Sequence, residues 1–102
     1  LENEVRRKES VVCQRFAERI LPLDPRLQAR GLGLIWGLDC SAVGSDLAER
    51  LSARCFELGL VIETAGRGDT VLKFLPPLNI DDTLLLQGID IVERALKDCL
   101  GG

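Results

Sequence analysis

The sequence predicts an α+β fold in two layers, a small and mainly antiparallel three-stranded sheet with helices packed on it, in the order α-β-α-β-β-α. Two hydrophobic periodicities and one tight turn carry that prediction. Apolar residues recur at helical spacing in three segments: Val5, Val12, Phe16 and Ile20; Leu47, Leu51, Cys55 and Leu58; and Leu85, Ile89, Val92, Leu96 and Leu100. Between them, Gly31 to Asp39, Leu60 to Thr64 and Thr70 to Leu75 read as strands, and Ala65-Gly66-Arg67-Gly68-Asp69 joins the last two as a hairpin. With 102 residues, 46% of them hydrophobic, residues 1–102 suffice for a single domain around one core.

The first helix spans Glu2 to about Leu21, and Leu1-Glu2-Asn3 offers no clear N-cap, as though a longer element began before it. Pro22 and Pro25 end it, since proline cannot continue a helical hydrogen-bond ladder. From Gly31 to Asp39, Leu32, Leu34, Trp36 and Leu38 alternate on one strand face and Gly31, Gly33, Ile35 and Gly37 on the other. A face so bare predicts close packing of a helix or a neighbouring domain. Ser45 is a plausible N-cap for the second helix, with Asp46 favourable in its first turn, and Gly59 its left-handed C-cap.

In the third strand, Val71, Lys73 and Leu75 share one face and Leu72 and Phe74 the other. Pro76 and Pro77 then stop the pairing, and the chain crosses extended through Leu78-Asn79-Ile80 to the last helix, which starts near Asp81 and ends at Gly101-Gly102. Gly88 inside that helix costs about 1 kcal/mol against alanine, so a neighbour is expected to approach it closely.

Composition excludes several functions. The net charge is -3 and the densest basic run, Arg6-Arg7-Lys8, is flanked by Glu2, Glu4 and Glu9, so nucleic acid and anionic membrane are not expected partners and the run reads as a solvated helix face. Cys13, Cys40, Cys55 and Cys99 are widely spaced and histidine is absent, which argues for buried free thiols and against a metal site. No apolar run approaches the roughly 20 residues that span a bilayer, and no secretory leader opens the chain. A reducing, cytoplasmic setting is therefore expected. Without histidine neither Ser-His-Asp nor Cys-His catalysis can be assembled, and no catalytic residue is assigned.

Among charged residues Lys73 is the one candidate site residue, a cation in an otherwise apolar strand beside a rigid crossing. Either it snorkels, its stem covering apolar surface while the ammonium stays wet, or it holds a carboxylate when a partner surface closes over it. Glu63, Thr64 and Arg67 stand near the hairpin turn, as cleft contacts or as solvated turn residues. Gly31-Leu32-Gly33-Leu34-Ile35-Trp36 is no dinucleotide fingerprint, since its glycines lie in a strand and Trp36 takes the third glycine position; Trp36 itself reads as core.

In series, Arg30-Gly31-Leu32-Gly33-Leu34-Ile35-Trp36-Gly37-Leu38-Asp39, Glu57-Leu58-Gly59-Leu60-Val61-Ile62-Glu63-Thr64 and Val71-Leu72-Lys73-Phe74-Leu75-Pro76-Pro77-Leu78-Asn79-Ile80 resemble the C-terminal small domain of class III pyridoxal-phosphate aminotransferases. The Glu63-Thr64 pair and Lys73 are similar to the branch acting on diaminobutyrate and 2-oxoglutarate, which implies transfer of a 4-amino group between an amino acid and a 2-oxo acid. The resemblance implies a pyridoxal 5'-phosphate cofactor held by a large domain, with none expected on this fragment, and a homodimer whose contacts lie largely in that large domain, so that the fragment alone can be a monomer. It further implies that Lys73 is a substrate-binding residue, where many members carry an arginine. A lysine there offers a point charge instead of a fork. Two alternatives stay open: the same class acting on ornithine, acetylornithine or 4-aminobutyrate, and a free-standing α+β small-molecule-binding or regulatory module.

Overall fold

A computed structural model of the chain describes residues 2–32, 35–65, 68, 70–74 and 80–101. Its elements are α1 (Glu2–Arg15), continued by a π-helical turn (Phe16–Ile20) and a 3-10 turn (Leu21–Leu23), then β1 (Gln28–Leu32), β2 (Ile35–Asp39), α2 (Leu47–Glu57), β3 (Glu63–Ala65), β4 (Val71–Phe74) and α3 (Asp82–Gly101). The α+β class is as the sequence predicts, but the sheet has four strands, in the order β1-β2-β4-β3, with every neighbouring pair antiparallel.

The added strand corrects the reading of Gly31 to Asp39 as one strand. β1 and β2 pair with Gly31 opposite Trp36 and Leu32 opposite Ile35, so the chain reverses between them. Gly33 and Leu34 lie outside the described residues, but a glycine first in a two-residue connection is a hairpin signal that the unbroken alternation of Leu32, Leu34, Trp36 and Leu38 conceals. Directly opposed residues share a face, so position 31 falls on the Trp36 side and not the reverse. Of the supposed glycine-lined face, Gly37 alone can be assessed, and there a Cβ would meet Val71 Cγ1 at 3.1 Å.

The helices pack on one side of the sheet. Trp36, Leu38, Leu72 and Phe74 point into that core, joined by Val12, Phe16 and Ile20 from the first helical segment, Leu47, Leu51 and Cys55 from α2, and Leu85, Ile89, Val92 and Leu96 from α3. Phe16 sits at the centre, its ring 5.6 Å from Trp36 and 6.0 Å from Phe74, both tilted. Side chains of this size stabilise by about 1.5–3 kcal/mol each when buried. The π-helical turn follows from their spacing: Val12, Phe16 and Ile20 recur every four residues, which on a regular α-helix drifts by about 40° per step. A wider turn takes up that drift and keeps Phe16 and Ile20 buried. The side chain of Val5 is not among those described.

Element ends show their causes. At the end of α2 the Gly59 amide donates to the Phe56 carbonyl (3.1 Å) and the Leu60 amide to the Cys55 carbonyl (2.8 Å), with Gly59 at φ +99°. This is the left-handed glycine cap the sequence predicts. At its start Asp46 holds the cap position without a side-chain cap bond, in place of Ser45. Asp81 caps α3, its Oδ1 accepting the Thr83 amide at 2.7 Å. The strand expected from Leu60 forms later, at Glu63, with Ile62 buried and Ser52 Oγ donating to its carbonyl at 2.7 Å.

The basic run near the start is not simply a solvated face. Arg7 grips both oxygens of Asp82 (2.7 and 3.0 Å) and also Glu4 (2.8 Å), while Lys8 is only 5% exposed and donates to the Ile80 carbonyl at 2.6 Å. The start of α3 is thereby clasped to the N-terminal half of α1. The thiols also divide: all four are free, Cys40 and Cys55 buried as expected, Cys13 exposed and Cys99 half-buried.

Candidate substrate-contact site

Lys73 lies in β4, where burial alternates as the sequence predicts: Leu72 and Phe74 enter the core, while Val71 and Lys73 are half-buried on the opposite face. Leu75, Pro76, Pro77, Leu78 and Asn79 lie outside the described residues, as do Gly66, Arg67 and Asp69. The Lys73 face is the side of the sheet away from the helices. Its row runs across four strands, with Gly37 of β2 and then Arg30 of β1 on one side of Lys73 and Glu63 of β3 on the other, each directly in register with the next.

The register separates the residues near the hairpin turn. Glu63 stands opposite Lys73 and is exposed, whereas Thr64 stands opposite Leu72 and so turns toward the core side, half-buried. The pair Glu63-Thr64 therefore splits between two faces, and only its first member shares a surface with Lys73. Counting back through the hairpin from Lys73 could have found Glu63, had the length of the connection been known. Among the described residues neither Lys73 nor Glu63 makes a side-chain hydrogen bond or ion pair.

Three lysines are present in the sequence, and their surroundings test whether this chain could hold an aldehyde cofactor as an imine. Lys8 is committed to the Ile80 carbonyl, Lys97 is on the surface with Glu93 at 2.9 Å, and Lys73 stands on an open sheet face. Lys8, though enclosed, is spent on that carbonyl, and neither of the other two is enclosed as such a group requires. Among the described residues no cluster of His, Cys, Asp or Glu could hold a metal ion, and no helix is long and apolar enough to cross a membrane. The shallow grooves by Gln14, Arg15, Glu18 and Arg19, and by Leu58, Gln87, Asp90, Ile91 and Arg94, involve neither Lys73 nor Glu63.

No protein-family model matches the chain. Curated relatives do: diaminobutyrate--2-oxoglutarate transaminase of Wolinella succinogenes is 44% identical over 93 residues, covering 89% of this chain, and that of Bordetella parapertussis is 45% identical over 100 residues, covering 96%. The chain belongs to the aminotransferase family. It spans only 21–22% of the length of those two relatives. Among solved structures, N-acetylornithine aminotransferase from Stenotrophomonas maltophilia K279a superposes with a TM-score of 0.84 and 27% identity, covering 97% of this chain and 27% of that one. A PLP-bound aminotransferase mutant from Vibrio fluvialis, 24% identical with a TM-score of 0.72, covers 97% of this chain and 23% of its own and shares the fold.

Proposed function

We propose that this chain is the C-terminal small domain of a class III, pyridoxal-phosphate-dependent transaminase that moves the 4-amino group of L-2,4-diaminobutyrate to 2-oxoglutarate, giving aspartate 4-semialdehyde and glutamate. The observation that carries the reading is 44–45% identity, across 89–96% of the chain, to diaminobutyrate--2-oxoglutarate transaminases. The cofactor, its lysine and the dimer contacts would belong to the large domain of the full-length enzyme. The cofactor would supply an electron sink for the bonds to the reacting carbon, and this segment would supply a wall of the cleft.

On that wall Lys73 is the substrate-binding residue, its ammonium holding a substrate carboxylate. Support comes from its placement on the helix-free face, half-buried and without an ion pair among the described residues. A charged hydrogen bond of this kind is worth about 1.5–3 kcal/mol. In the full-length enzyme Lys73→Ala should then raise the KM for diaminobutyrate by roughly 10- to 100-fold, with Lys73→Arg retaining more binding than alanine. An unchanged KM in the alanine variant would remove Lys73 from the site. Residues 1–102 alone should show neither cofactor absorbance nor transamination, and activity from them would overturn the domain assignment. The likeness to an N-acetylornithine aminotransferase favours a second reading, in which the substrate is ornithine or its acetyl derivative. Relative turnover of diaminobutyrate, ornithine and acetylornithine by the full-length enzyme decides between them.

A further inference from the structure

Lysines are seldom buried, because their ammonium loses water that few protein groups replace. Lys8 is 5% exposed, and its Nζ donates to the Ile80 carbonyl at 2.6 Å. That carbonyl stands just before Asp81, whose own carbonyl accepts the Leu85 amide at 2.9 Å, so it lies outside the hydrogen-bond ladder of α3 and takes its donor from another element. Two side chains of the same helical segment bracket the contact. Arg7 holds Asp82 at 2.7 and 3.0 Å, and Phe16, further along, has its ring 6.0 Å from that of Phe74. The first helical segment thus holds the chain at Phe74, the last residue of β4, and again at Ile80 and Asp82, where α3 begins. What the ammonium adds to an apolar stem is a directed bond to one point of the backbone.

We propose that Lys8 is a positioning residue for the substrate-contact site, fixing through the Ile80 carbonyl where the chain runs on from β4 and so how Lys73 is presented. This rests on the transaminase reading given above, in which Lys73 binds a substrate carboxylate. Lys73 is the residue before Phe74 and lies on the opposite face of β4, so a shift of the strand end against Phe16 on the core side moves Lys73 on the other. Phe16 restrains that end by packing, which tolerates sliding, whereas Lys8 acts from the α3 side by a hydrogen bond, which does not. The sequence between the two anchors carries Pro76 and Pro77, and a ring that fixes φ leaves fewer ways to absorb a shift. A misplacement of about 1 Å arising far from the chemistry can cost an enzyme as much as about 100-fold. Lys8 therefore acts on binding without touching a ligand.

The test is a double-mutant cycle in the full-length enzyme: Lys8→Met, which keeps the stem and removes the ammonium, Lys73→Ala, and the two combined. KM and kcat for diaminobutyrate are read well below the unfolding midpoint, which is measured for each variant. Lys8→Met should raise KM by about three- to tenfold, the change falling on KM more than on kcat, and Lys8→Arg, which keeps a donor, should recover part of the loss. In the Lys73→Ala background Lys8→Met should add little, because the residue it positions is gone. An unchanged KM in folded Lys8→Met, or the same rise in both backgrounds, would make Lys8 a structural lysine only and overturn the proposal. If Lys73→Ala itself leaves KM unchanged, the reading of the site fails and the inference with it. Should Lys8→Met not fold, Lys8→Gln, whose amide donates but is too short to reach the same carbonyl, takes its place in the cycle with the same expected outcomes.

Discussion

Two glycines with the same name in the sequence have opposite meanings in the fold. At Gly59 the backbone has φ +99°, a region that a Cβ makes costly, and both cap hydrogen bonds depend on it. At Gly88 the backbone is helical and a Cβ would lie 3.6 Å from Phe74 Cε1 and 4.0 Å from Leu60 Cδ1, ordinary contact distances. A neighbour does rest on Gly88, as the sequence suggests, yet it leaves room for a methyl group. Gly88→Ala should accordingly stabilise by about 0.5–1 kcal/mol through helix propensity, whereas Gly59→Ala should destabilise by about 1 kcal/mol or more. Urea unfolding of the two variants checks both signs, and a destabilised Gly88→Ala would show that the Phe74 ring cannot yield. Trp36 is the residue-scale anomaly, its buried Nε1 having no hydrogen-bond partner among the described residues. An unsatisfied donor of this kind costs about 1–3 kcal/mol, which its packing against Phe16 must offset.

Among elements, the clasp between α1 and α3 makes the fold sensitive to acid. Hydrogen bonds from Arg7 hold the carboxyls of Glu4 and Asp82 below their ordinary range, and those from Arg26 lower Asp24 from 3.8 to about 2. Each carboxyl is depressed in the folded chain, so the unfolded chain binds more protons as pH falls and the stabilisation is lost downward, never upward. Stability should be level above roughly pH 5 and decline toward pH 2 as the carboxyls protonate. Arg7→Gln should flatten that decline by removing the cause of two of the three shifts. Urea midpoints across this range test it, and an undiminished slope in Arg7→Gln would show that the clasp is not what lowers Glu4 and Asp82. Lys8 reinforces the same junction by satisfying the Ile80 carbonyl, six residues beyond Phe74 in the chain.

For the molecule as a whole, the thiols report how far the core opens. Burial pushes Cys40 up to about 12 and Cys55 up to about 11, while Cys13 is exposed. A thiolate-seeking reagent at neutral pH should label Cys13 at once and reach Cys40 and Cys55 only through unfolding, at a rate that urea accelerates. Mass-resolved labelling checks the order, and early modification of Cys55 would place the opening between α2 and α3. The three helices were legible in the sequence because a stripe such as Leu85, Ile89, Val92 and Leu96 has a period that only a helix satisfies. The β1-β2 reversal was not, because period-two alternation runs on through it and a glycine in a strand looks the same as a glycine in a turn. Lys73 could be assigned to its face from alternation alone, since Leu72 and Phe74 mark the core side. Its neighbour Glu63 could not, because register across a hairpin depends on how many residues the connection takes up.

β3 is a three-residue strand at one end of the sheet, with β4 its one sheet neighbour among the described residues. An edge so brief is a poor template for a second polypeptide, which guards this side of the sheet against joining another edge to edge. The same brevity means that few backbone bonds must break for Glu63 to shift along or away from Lys73. In hydrogen exchange, the amides of β3 should be the first in the sheet to lose protection, well before those of β2 at its centre.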